Sequence, residues 1–72
     1  MQIEWREWPM IIRGALYDGY IACINKVTVG QIINHRHIKT GSPFGARVTE
    51  EVVYFPTLAD AKVWVESEVN VR

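Results

Sequence analysis

The chain has 72 residues, 49% of them hydrophobic, with three Trp, three Tyr and two Phe, enough apolar surface for one small core and a single domain spanning 1–72. Eight basic and eight acidic side chains give zero formal net charge, which removes the global attraction that drives non-specific binding to nucleic acid or anionic membrane. Cys23 is the only cysteine, excluding a disulfide framework and a Cys-based zinc site, and neither a membrane span nor a signal peptide is legible, so the expectation is a complete small cytoplasmic protein.

In chain order, residues 2–8 alternate as a strand with Ile3 and Trp5 on one face, and Pro9 closes it or sends it to a sheet edge. Asp18-Gly19 lies between the apolar stretches 13–17 and 20–24, and this dipeptide predicts a two-residue type I′ hairpin. The second of these strands ends near Asn25-Lys26, and residues 29–38 read as a further strand rich in β-branched residues, with Gly30 a candidate bulge. After a turn-rich loop at 39–43, Phe44, Ala46 and Val48 alternate with Gly45, Arg47 and Thr49 as another strand. Glu50-Glu51 reads as a tight turn into a strand at 52–55, in preference to one long strand over 46–55.

The stretch from Phe55 to Trp64 carries the sharpest local signal. Thr57 and Asp60 stand at capping-box spacing, and Asp60 adds negative charge at the positive end of a helix dipole, so a helix is predicted over about 57–69. At 100° per residue Leu58, Ala61, Val65 and Val69 form one stripe toward a sheet, while Val63 points away and Trp64 lies at the stripe's flank. The predicted architecture is α+β: an antiparallel meander of three to five strands covered on one face by a single C-terminal helix.

Candidate chemistry is sparse. His35 and His37 share a strand face and could offer two imidazoles to a metal, but no third ligand is placed by spacing, so a solvated strand edge is expected, with no metal or cofactor. Residues 40–45, Thr-Gly-Ser-Pro-Phe-Gly, lack the Lys-Ser or Lys-Thr and the helix start of a phosphate-binding loop. Cys23 sits among apolar strand residues with no activating base, and no Ser, His and Asp stand in a convincing catalytic order, so an enzyme is not expected. Residues 34–47 hold Arg36, Lys39 and Arg47 with both histidines and no acid, whereas residues 50–72 set Glu50, Glu51, Asp60, Glu66 and Glu68 against Lys62 and Arg72. The chain is thus dipolar, basic around 34–47 and acidic toward its end.

Phe55, Thr57, Ala61 and Trp64 form a Phe-x-Thr-x-x-x-Ala-x-x-Trp ending. It resembles the ending of small sheet-plus-helix domains of phages and mobile elements, among them the arm-type DNA-binding domains of tyrosine integrases, and the size and style resemble phage and prophage accessory proteins. In the integrase family a sheet face bearing basic and aromatic residues reads DNA, which the resemblance would place on this sheet. Two functional expectations follow. One is a non-enzymatic interaction protein that binds a protein partner, a host protein or a second copy, through Trp64, Val63, Trp5, Trp8 and Tyr54, since one sheet and one helix cannot bury every aromatic side chain. The other is a sheet-based nucleic-acid module using His35, Arg36, His37, Lys39 and Arg47.

Overall fold

Positive backbone φ angles mark where the chain reverses in the computed structural model, which describes residues 2–35 and 41–71. Arg13 and Gly14, at 52° and 81°, join strand β2 (Met10–Ile12) to β3 (Ala15–Ile24), and Asn25 and Lys26, at 51° and 67°, join β3 to β4 (Val27–Asn34). Two successive left-handed residues are what a two-residue hairpin turn with right-handed strand twist requires. The hairpin expected at Asp18-Gly19 is corrected by this: both residues lie inside β3, where Asp18 pairs with Asn34 and Gly19 with Ile33. Gly19 has a different task, because a Cβ there would collide with the carbonyl oxygen of Trp8 in the neighbouring edge segment. A glycine within a strand marks such a close backbone approach as readily as it marks a turn.

Among the described residues all strand pairs are antiparallel. The sheet runs β1 (Glu4–Glu7), β3, β4, β5 (Phe44–Arg47), β6 (Val52–Phe55), with β2 also paired to β3. Among the described residues that makes six strands where three to five were expected: the stretches at 13–17 and 20–24 join in the one strand β3, and β2 is additional to the expected strands. Glu7 faces Tyr20 and Met10 faces Tyr17, so β1 and β2 are one edge strand in one register, interrupted at Trp8-Pro9. The interruption is partial, since the Trp8 amide still donates to the Gly19 carbonyl at 2.7 Å. Pro9, with no amide hydrogen, sits at the edge as expected. The predicted bulge also lies beside Gly30: Ala22 faces Gly30 while Cys23 faces Thr28, leaving Val29 as the extra residue. Strand β4 starts two residues before the predicted strand, and the part of that prediction at 36–38 lies outside the described residues. Residues 48–51 separate β5 from β6, as the Glu50-Glu51 turn predicts.

Helix α1 (Leu58–Val71) packs over β4, β5 and β6. Its start follows the capping signal: the Asp60 amide donates to Thr57 Oγ1 at 3.2 Å. Ala61, Val65 and Val69 are buried, as the predicted stripe requires, against Ala22, Ile32 and Ala46 of the sheet. A Cβ on Gly30 would lie 2.7 Å from Val65 Cγ1, so the absence of a side chain there sets how closely helix and sheet approach. No helix among the described residues is long and apolar enough to cross a membrane.

Candidate binding surfaces

Strand alternation sorts the sheet into two faces. Residues aligned with Tyr20 and Ala22 look toward α1; those aligned with Tyr17, Gly19 and Ile21 form the other face, which α1 leaves open. The predicted site residues divide between these faces. Trp5 lies on the helix side, half-buried: its Nε1 donates to Glu66 Oε2 at 2.8 Å, and Lys62 Nζ stands 5.4 Å from its ring and 5.8 Å from the Tyr20 ring. Trp5 therefore braces the edge strand against the helix. Trp64 is also half-buried, its ring 5.8 Å from that of Phe55. Val63 is 67% exposed on the outer side of α1, as the helical wheel predicts, and Trp8 is 56% exposed at the interruption of the edge strand.

Tyr54 joins a different group. On the open face His35 stands between Tyr17 and Tyr54, with centroids 5.7 and 5.8 Å away and both contacts edge-on. The imidazole crosses Gly45, where a Cβ would come within 3.2 Å of His35 Nε2. The His35 amide continues the β4–β5 ladder by donating to the Pro43 carbonyl at 2.8 Å, which holds the ring over that glycine. Two residues along β5 on the same face, Arg47 is exposed and its Nε donates to the Thr49 carbonyl at 2.6 Å. Arg6, farther across this face, donates to Glu4 Oε1 at 2.8 Å, and this hydrogen bond, with the carboxylate's charge, raises the guanidinium pKa above its ordinary value. Arg36, His37 and Lys39 lie outside the described residues.

A third surface has no counterpart in the sequence-based expectations. The β2–β3 hairpin forms an arm in which Ile11 pairs directly with Leu16, on the helix side of the sheet but uncovered by the helix: Ile11 is 75% and Leu16 58% exposed, and Ile12 on the opposite face 38%. Reading Arg13-Gly14 as the turn would have revealed this pair, because it makes 10–12 and 15–17 partners.

Catalytic groupings are thin. Among the described residues no group of three or more His, Cys, Asp and Glu could hold a metal. A concavity of about 320 Å³ beside the bulge is lined by residues from Thr28 to Gln31 with Arg47 and Val48, and among the described residues Arg47 is its one ionisable side chain. Cys23 is 5% exposed, with its Sγ 3.9 Å from Thr28 Oγ1. No family model, curated protein or solved structure matches the chain.

Proposed function

We propose that this chain is a non-enzymatic interaction protein, of the small phage or prophage accessory type, that takes a protein partner on the apolar hairpin arm. One observation carries the reading: Ile11 and Leu16, directly paired and 75% and 58% exposed, present a contiguous apolar surface on a domain whose helix leaves them uncovered. Full burial of such side chains is worth about 1.5–3 kcal/mol each, a gain that folding alone leaves largely unused and a partner would realise. Val63, Trp8 and Tyr54 extend the exposed apolar surface elsewhere, whereas Trp5 serves the fold. A cytoplasmic setting belongs to the same reading, since the single cysteine is free and buried. The test is retention on the immobilised chain, with bacterial lysate and with purified chain as separate samples. The paired change Ile11→Lys with Leu16→Lys should abolish what the native chain retains, and Val63→Lys should leave it. Retention of nothing, or retention indifferent to the arm, overturns the reading.

The Tyr17, His35 and Tyr54 row beside Arg47 favours a second reading, single-stranded nucleic acid stacked on the open face. Arg36, Lys39 and Arg47 together predict a log–log salt slope of about −2 for a single strand. Absence of retention on DNA or RNA at low salt would dismiss it.

A further inference from the structure

We propose that the partner is a second copy of this chain and that two arms pair edge to edge about Ile11, an inference that rests on the interaction reading above. Trp8 donates to Gly19, so Trp8 and Gly19 are a hydrogen-bonded pair; in the same antiparallel register the next bonded pairs are Met10 with Tyr17 and Ile12 with Ala15. The residues between them turn the other way. Ile11 therefore directs its amide and carbonyl, and Pro9 its carbonyl, away from β3, and among the described residues β2 pairs with no other strand.

Sheet edges are ordinarily guarded by charge or proline. The β1 part of this edge has Glu4, Arg6, Glu7 and the following Pro9, but Met10-Ile11-Ile12 carries no charge. A two-fold axis at Ile11 lets the two Ile11 residues exchange both backbone hydrogen bonds. On the helix side it gathers Ile11 and Leu16 of both copies into one apolar cluster, and on the other side it sets Met10 beside Ile12 of the second copy. The same axis sets Arg13 of each arm opposite Pro9 of the other, with Glu7 two residues farther along, so an opposite charge lies diagonally near each arginine, and a chain of zero net charge meets no global repulsion. The surface is thus complementary to itself, and isologous pairing closes at two copies. The opposite edge, β6, is set between Glu50-Glu51 and Pro56, which fits it less well to the same use.

The experiment combines light scattering on the native chain with cysteine cross-linking in a Cys23→Ala background. Across the proposed axis the Ile11 Cα atoms would stand about 5.5 Å apart, inside the disulfide range of roughly 4.4–6.8 Å, so Ile11→Cys should form a covalent dimer under mild oxidation. Ile12 lies opposite Met10 rather than its own counterpart, which puts the two Ile12 Cα atoms beyond about 7 Å, so Ile12→Cys should cross-link far less than Ile11→Cys. The native chain should have dimer mass, and Ile11→Lys should be monomeric with an unchanged circular dichroism spectrum. A monomeric native chain without the Ile11→Cys cross-link, but with arm-dependent retention of another protein, overturns self-pairing and leaves the interaction reading standing. A monomer that retains nothing overturns both. Equal cross-linking at 11 and 12, or open-ended oligomers, overturns the two-fold register.

Discussion

Replacing Gly30 with alanine tests how helix and sheet meet. The new methyl would lie 2.7 Å from Val65 Cγ1, 3.4 Å from the Arg47 carbonyl oxygen and 3.5 Å from Val48 Cγ2. Only the first contact is too close to survive, and the atom involved is poorly placed to yield: Val65 is fully buried, β-branched and restricted to essentially one rotamer on a helix. Relief requires α1 to lift from the sheet, and Ala61 and Val69 on either side of Val65 are buried against it. Overpacking of this kind costs about 1–3 kcal/mol, offset by up to about 1 kcal/mol because alanine restricts the unfolded chain more than glycine does. With Val65 unable to yield, the cost lies in the upper part of that range and the net loss is about 1–2 kcal/mol, which for a domain of this size lowers Tm by roughly 4–16 °C. Val65→Ala alone should cost about 2 kcal/mol in lost burial and cavity, but it also removes the atom that the alanine meets. Urea unfolding of both single variants and the double variant should therefore give a coupling of about 1–2 kcal/mol in favour of the pair. A neutral Gly30→Ala, or strictly additive effects, would refute the packing argument.

Three further outcomes follow from the same geometry. Thr57→Ala removes the acceptor for the Asp60 amide and should cost about 1 kcal/mol in urea unfolding, with Thr57→Ser restoring most of it. Trp5→Phe keeps an aromatic ring beside Tyr20 and Lys62 but leaves Glu66 without its indole donor; a loss of about 1 kcal/mol is expected, and a zero effect would mean that water replaces that bond fully. Gly45→Ala presses on the imidazole from 3.2 Å and should change the NMR shifts of His35 and Tyr54 together while costing less than about 1 kcal/mol; unchanged shifts would show that the ring is not held where described.

The parts of the fold legible in the sequence are those in which one residue type meets one physical demand. Thr57 and Asp60 place the helix start because few spacings satisfy its free amides, and the helical period then puts Ala61, Val65 and Val69 on the sheet and Val63 in solvent. Pro9 marks an edge because it cannot donate into a ladder. Asp18-Gly19 misleads because a glycine that admits a left-handed turn also admits the Trp8 carbonyl, and only the paired register distinguishes the two. Arg13-Gly14 and Asn25-Lys26 carry weaker turn signals, yet the long β3 between them leaves the reversals nowhere else to fall. Moving the first hairpin from 18–19 to 13–14 also changes the candidate surface, since it pairs Ile11 with Leu16 and places Tyr17 beside His35. Tyr54 and His35 meet only through the register of three strands, which no local spacing encodes.

In the proposed dimer the outward edge of each arm is taken by the other copy, and the Ile11 amide is the group that reports it. In an isolated chain this amide faces water and exchanges as freely as that of Glu7, the other outward-facing donor near the interruption; in the proposed pair it bonds to the Ile11 carbonyl of the second copy. Residue-resolved hydrogen exchange measured over a range of protein concentrations should show protection at Ile11 that rises with concentration and is absent in Leu16→Lys, while Glu7 remains unprotected. An Ile11 amide that exchanges at the unprotected rate at every concentration would rule out the edge-to-edge pair.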